Sequence, residues 1–406
     1  MKRYCHNALW LPVLLMLLVA SVPPCTAGEP SQGSLPLADP ASVDMDAAKL
    51  AQIPQRIEQY IAQKQISGAV TLVARRGRIV HLEAVGHADL KNDLPMQKDS
   101  LFAIASMTKP ITATAVMMLQ DEGKLSLDEP VAKYIPSFRN VALDSGPPTR
   151  AITLRDLITH TSGVVGSQRT EATLQETVEE IARRPLGFEP GSQWQYSPGL
   201  NVCGRVVEIV SGQSYDEFLR ERILQPLDMA DTTFSPDASQ RKRIARIYQP
   251  TTDKSGIEPV SHWLTDDAGQ RAPNPSGGLF STASDIARFY QMILNGGQLG
   301  GRRILSKQAV KQMTSVQTGE LTTGFTPGNG WGLGWCVVRQ PQGVTKMLSP
   351  GSCGHGGAFG TQSWLDPQRE MIFVLMIQRT NFGNSDASSI RGDFQQLAVE
   401  ALGSGR

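Results

Sequence analysis

The stretch FAIASMTKPITATAVMMLQ, residues 102–120, decides how the chain is read. Ile111, Ala115, Met118 and Leu119 keep one face apolar at helical spacing, which predicts a helix. Pro110 is tolerated only in the first turn, where backbone N–H groups have no intrahelical acceptor. Ser106 and Lys109 then sit about one helical turn apart on the same face. They lie at a helix N-terminus, where partial positive charge and free N–H groups favour anions. That setting suits a nucleophile.

Strand signals stand on both sides of this helix. GAVTLVARRGRIVHLEAVGHAD, residues 68–89, reads as two strands turning at Arg76-Gly77. Further strands are expected in GWGLGWCVV (330–338), GHGGAFGTQSWLDP (354–367) and EMIFVLMIQRT (370–380). Between these ends, residues 125–270 are mostly short helices and loops. GGLFSTASDIARFYQMILNGG (277–297) is a capped amphipathic helix. A last helix is expected over about 387–402. Strands at both ends with helices between imply one sheet assembled from N- and C-terminal parts. The expected class is α/β in the α+β sense, with a sheet part at about 46–105 and 275–406 and a helical insert at about 106–274.

The 406 residues carry 39 Lys plus Arg against 38 Asp plus Glu, so no charge field favours nucleic acid or an anionic membrane. Lys2 and Arg3, the apolar run 8–22 and the small residues up to Ala27 read as a secretory signal peptide over 1–27, cleaved after Ala27. Its removal would take the formal net charge from +1 to −1. Residues 28–45, rich at first in Pro, Ser and Gly, read as a flexible leader. No later apolar run is long enough to span a bilayer. The expected product is exported, periplasmic or secreted, with no stable membrane insertion after cleavage. Cys203, Cys336 and Cys353 remain after cleavage, too few for a disulfide framework; free thiols are expected over a Cys336–Cys353 bridge.

Ser-x-x-Lys alone is a weak signal, and Ser239-Gln-Arg-Lys242 repeats it in a polar, surface-like stretch. Two more motifs carry weight: WQYSPG (194–199), in a loop before a helix, and GHGG (354–357), at the opening of a strand. Taken in this order, Ser-x-x-Lys, Tyr-Ser-x and His-x-Gly resemble the serine active-site family of class C β-lactamases, D-alanyl-D-alanine carboxypeptidases and their esterase relatives. LITHTSGV (157–164), PSGGLFSTASDIARF (275–289) and GWGLGW (330–335) are similar to family segments too, so the resemblance spans roughly 48–402. It implies a β-lactamase/transpeptidase-like fold: an antiparallel sheet flanked by helices, plus a mostly helical subdomain.

The resemblance implies Ser106 as nucleophile, Lys109 as its activating partner and Tyr196 as the base that also serves the leaving group. It places the oxyanion donors at the backbone N–H groups of Ser106 and Ala358, the latter following His355, Gly356 and Gly357. Lysine and tyrosine have ordinary pKa values of about 10.4 and 10, so neither is a free base at neutral pH. Placed together, the ammonium would favour the phenolate and burial would disfavour the lysine cation, so the pair could share one proton and accept another from Ser106. The chain departs from the β-lactamase pattern twice. Pro198 stands where β-lactamases and carboxypeptidases usually carry asparagine, and His355 where β-lactamases usually carry lysine. Proline supplies no amide, and histidine is a weak carboxylate anchor near neutral pH.

The expectation is an exported serine hydrolase that forms an acyl-enzyme at Ser106 and cleaves carboxylic esters or peptide-like amides, with small-molecule ester, peptide-like or β-lactam partners. β-Lactamase or carboxypeptidase activity, or non-catalytic capture of cell-wall peptides, are the alternatives. His160 in THTSG reads as a buried structural contact. No His-Glu-x-x-His, ordered Cys/His cluster or phosphate-binding loop is present, so no metal and no cofactor are expected.

Overall fold

The structure, a computed structural model, describes residues 1–2, 35–167, 169, 171–266, 272–382 and 384–403. The chain divides into two units, Met1–Ser31 and Gln32–Arg406. The second carries every helix and strand among the described residues. Apart from Met1 and Lys2, the expected signal peptide and leader up to residue 34 lie outside the described residues.

One eight-stranded antiparallel sheet organises this unit. Its strands are β1 (Gly68–Arg75), β2 (Arg78–Asp89), β3 (Leu94–Pro95), β4 (Asn329–Trp331), β5 (Cys336–Val338), β6 (Cys353–Gly356), β7 (Gln362–Asp366) and β8 (Met371–Met376). The order is β4-β5-β6-β7-β8-β1-β2-β3. The seam between the two ends of the chain is the β1–β8 pair, with Val70 opposite Met376 and Arg75 opposite Met371.

Side chains alternate across the sheet with period two. Val70, Leu72, Ala74, Ile372, Val374 and Met376 enter one core. Ala69, Val73, Met371, Phe373 and Leu375 enter the other. Burial on both faces explains why β8 reads as an unbroken apolar run although the sheet is antiparallel. Helices α1 (Gln52–Ala62) and α5 (Ser389–Glu400) cover the second face; α2 (Thr108–Asp121) and α3 (Gly199–Ser211) belong to the helical part, and α4 (Ala283–Leu294) covers the first face.

Helix α2 is buried on every side from Thr108 to Leu119, not along a single apolar stripe. Its polar residues are accommodated internally. Thr112 and Thr114 donate their hydroxyls to the carbonyls of Thr108 and Pro110 (3.3 and 3.0 Å). Helix α3 packs close to the segment before α4, because a Cβ on Gly204 would stand 2.2 Å from the Pro275 ring.

Residues 35–45, read from the sequence as leader, are seated on the fold. Leu35, Val43 and Met45 are buried. Ala38 donates its N–H to the Ile79 carbonyl, and Ile79 donates back to Pro36. Their Pro- and Ser-rich surroundings obscured these three apolar anchors. Cys336 lies opposite Gly354 and Cys353 opposite Val337. The two thiols therefore point to opposite faces, into different cores, and stay free.

Candidate active site

Ser106 lies in a 3₁₀ turn, Ala105–Met107, that feeds directly into α2. The residue before it, Ala105, has φ +45°, a left-handed conformation that costs a non-glycine residue energy. The turn presents the Ser106 side chain part-exposed, while its neighbours Ala105 and Met107 are buried.

One turn on, Lys109 is fully buried. Its amine lies 3.3 Å from Ser106 Oγ and donates to the Ser276 carbonyl at 2.6 Å. Ser276 is itself fixed, its N–H donating to the side-chain oxygens of Asn201 and Asn274, both at 2.9 Å. Asn201, on α3, thus positions the carbonyl that positions the amine. Among the described residues, no carboxylate forms an ion pair with Lys109.

Tyr196 completes the group. Lys109 Nζ stands over its ring, 4.5 Å from the centroid. The ring is part-exposed but the hydroxyl is buried, and it finds no full hydrogen bond among the described residues. His160 packs on the ring at 4.6 Å between centroids, and Phe325 and Trp331 meet it edge-on at 5.2 and 6.1 Å. Trp194 adjoins Phe325 and Trp331, closing an aromatic wall of which Phe325 is the exposed part.

The GHGG segment closes strand β6 rather than opening one: the strand ends at Gly356 and Ala358 lies in the following turn. Gly357 is needed for close approach, since a Cβ there would stand 2.1 Å from Thr361 Oγ1 and 2.6 Å from the Ile104 carbonyl oxygen. This contact sets the end of β6 against the turn that carries Ser106. The backbone N–H groups of Ser106 and Ala358 have no acceptor among the described residues. An oxyanion requires two such unpaired donors.

His355 is buried, with Nδ1 2.6 Å from the Gly356 carbonyl oxygen. A carbonyl only accepts, so Nδ1 carries the proton and Nε2 is left as a free acceptor. In His160, Nδ1 accepts from the Ser197 N–H at 3.2 Å, which assigns the proton to Nε2. Neither Nε2 has a partner among the described residues.

Desolvation dominates the electrostatics. Burial holds Lys109 well below the usual lysine range. It raises the Tyr196 phenol above the usual tyrosine value, with the Asp386 carboxylate adding to the rise and Ser106 opposing it. Burial and the nearby Lys109 push His355 down to about 4, against the opposing pull of Asp386. His160 falls well below the imidazole range through burial, Lys109 and His355. Burial thus works against both the lysine cation and the tyrosine phenolate, because each charged form loses hydration here.

Ser106, Lys109, Tyr196, His355, Gly356, Gly357 and Ala358 thus come together from three separate parts of the chain. The second Ser-x-x-Lys does not join them: Ser239 is exposed and bonds to Asp237, the cap of a surface turn. His160, which the sequence suggests as a structural contact, packs directly on Tyr196, and its place in LITHTSGV is the available signal. Trp194 and Trp331 stand inside the motifs quoted above, with nothing in the sequence to assign them a role. Phe325 and Asp386 carry no sequence signal.

A profile of the Beta-lactamase family matches residues 53–398. Esterase EstB of Burkholderia gladioli is 32% identical over 384 residues, covering 85% of this chain and 94% of its own. A putative D-alanyl-D-alanine carboxypeptidase of Escherichia coli O157:H7 is 28% identical over 424 residues, covering 96% and 95%. Among solved structures, EstCE1, described as a hydrolase with promiscuous acyltransferase activity, superposes with a TM-score of 0.76 at 25% identity, covering 88% of this chain and 99% of its own. The chain therefore belongs to the β-lactamase family, as a serine hydrolase built on an antiparallel sheet flanked by helices.

Proposed function

We propose that the chain hydrolyses carboxylic esters through an acyl-enzyme at Ser106. The observation that carries this reading is the Lys109 amine, buried and 3.3 Å from the Ser106 hydroxyl. A neutral amine accepts a proton; an ammonium does not. Ser106 Oγ would attack the substrate carbonyl carbon as its proton passes to Lys109 Nζ. The negative charge then grows on the carbonyl oxygen, between the N–H groups of Ser106 and Ala358. Tyr196 would relay that proton to the departing alkoxide, and a water would reverse the path to release the acid.

Three features favour esters over β-lactams. Pro198 offers no side-chain amide for a substrate's amide carbonyl. His355 is uncharged at neutral pH, so it gives a carboxylate no cation. The wall formed by Trp194, Tyr196 and Phe325 suits an apolar acyl or alcohol group. The name of the Burkholderia relative points the same way.

A second reading, cleavage of peptide-like amides, is favoured by the strand edge. Strand β5 pairs only with Cys353 and Gly354, leaving residues 355–358 with no strand on that side among the described residues. An extended substrate could bond there. The carboxypeptidase relative supports it by name.

The test is turnover of p-nitrophenyl esters of graded acyl length, beside a chromogenic cephalosporin and an acyl-D-alanyl-D-alanine peptide. Ester turnover lost in Ser106→Ala, with little cephalosporin hydrolysis, is expected. Ser106-dependent cephalosporin or peptide cleavage exceeding ester cleavage would overturn the ester reading.

A further inference from the structure

One charged group beside the site takes no part in the acyl transfer proposed for it. Asp386 precedes α5 in a short turn, Ser385–Ala387, and its side chain is part-exposed. Gln362 Nε2 donates to Asp386 Oδ1 at 2.9 Å. Gln362 is the cross-strand partner of Gly356. A Cβ built on Gly356 would stand 1.9 Å from that same carboxylate oxygen. The carboxylate therefore occupies the space that a side chain at 356 would fill, directly over the strand end that precedes Ala358.

The turn holding it is tied to the site at its N-terminal side. Asn384 donates its amide to the Phe325 carbonyl at 2.6 Å, and Ser385 donates its hydroxyl to the Gly357 carbonyl at 3.3 Å. The backbone N–H of Asp386 bonds to Asn384 Oδ1 at 3.0 Å. Asp386 is thus fixed between the exposed aromatic wall and the expected oxyanion strand.

Among the described residues, no cation forms an ion pair with its carboxylate. Arg391 is fully buried; its guanidinium lies over the Trp364 ring at 4.1 Å and donates to the backbone carbonyl of Asp386, not to its carboxylate. Burial lowers the pKa of Lys109 and pushes His355 down to about 4, so both are weakened as counter-charges. Arg379 stacks on Phe382. The Asp386 charge is felt at both Tyr196 and His355.

We propose that Asp386 is a specificity-determining residue that selects substrates neutral or cationic in the part lying over Gly356, and repels those carrying a carboxylate there. In a partly dried cleft, unit charges several ångströms apart interact strongly enough to change kcat/KM by about tenfold or more. Gly356 and Asp386 act as a matched pair, since a larger residue at 356 would displace the carboxylate.

The inference rests on the esterase reading, so the experiment separates the two. Three p-nitrophenyl esters of matched acyl length are compared: unsubstituted, ω-carboxylate and ω-trimethylammonium. Wild-type protein is expected to prefer the neutral and cationic esters over the anionic one by about tenfold or more in kcat/KM. That ratio should shrink as sodium chloride rises from about 10 to about 500 mM. Asp386→Asn should shift the anionic-to-cationic ratio by about tenfold toward the anion. An anionic ester that ranks equal or first in wild type, a ratio indifferent to salt, or an unchanged ranking in the variant would overturn the proposal. Turnover of all three esters that survives Ser106→Ala would instead overturn the reading beneath it. The salt series on wild type decides the matter even if the variant folds poorly.

Discussion

Lys109 Nζ stands 3.3 Å from Ser106 Oγ with no carboxylate paired to it among the described residues. That arrangement fixes the sign of the pH dependence. The amine must be neutral to accept the serine proton, and burial lowers its pKa. Activity should therefore rise with pH through a limb centred well below the ordinary lysine value of about 10.4. Lys109→Met should lower kcat by about 10³-fold or more and remove that limb, as measured in pH–rate profiles with a neutral ester. A limb that persists in Lys109→Met would assign it to another group.

Tyr196 contributes a hydroxyl that is buried and raised toward the protonated form. Tyr196→Phe keeps the ring contacts with His160 and Phe325 and removes only that hydroxyl. It should reduce kcat by about 10²–10⁴-fold with little change in thermal midpoint. A midpoint that collapses along with activity would make the residue structural.

Gly357 has no room for a side chain, since Thr361 Oγ1 and the Ile104 carbonyl oxygen both lie inside contact distance of any Cβ placed there. Gly357→Ala should shift the turn at Ala358 and misplace its N–H. The expected loss in kcat is about 10²–10³-fold, the scale of one oxyanion donor, with circular dichroism unchanged. Activity near wild type would mean that Ala358 supplies no donor.

Stability should fall in mild acid. His81 and His355 are both pushed down to about 4 in the folded chain by burial, against about 6.5 when unfolded. Between these values the unfolded chain binds the extra protons, so each histidine removes about 1.4 kcal/mol per pH unit as pH falls. His160 acts in the same direction. Asp285, raised to about 6 by burial, acts in the opposite sense between about 4 and 6 and offsets roughly one histidine. The urea midpoint should therefore drop from about pH 7 to about pH 4.5, and His81→Gln should flatten the slope. A midpoint constant over that range would contradict the burial of these rings.

Much of this was legible in the sequence for definite reasons. The β1–β2 hairpin announced itself by β-branched runs around Arg76-Gly77, and α4 by its Thr282 cap, whose hydroxyl receives the Asp285 N–H. Ser106, Lys109 and Tyr196 stand out through motif order, and local periodicity alone does not rank them above Ser239 and Lys242. What was hidden depended on long-range contact. The shifts of Lys109 and Tyr196 toward their uncharged forms come from burial, which a motif does not display. The seating of residues 35–45 needs partners far along the chain: Leu37 bridges to Ile79, and Met45 to Leu402 at the end of the last helix. Asp386 meets Gly356 only because a turn well downstream folds back over the strand.

Covalent chemistry at Ser106 is tested by where an organophosphonyl fluoride attaches. The full chain would be treated near neutral pH, its residual esterase activity followed, and the adduct located by peptide mass spectrometry. A single adduct on Ser106, formed in step with loss of activity and absent in Lys109→Met, is the expected result. Labelling of another serine such as Ser197, or full inactivation with Ser106 unmodified, would contradict the account.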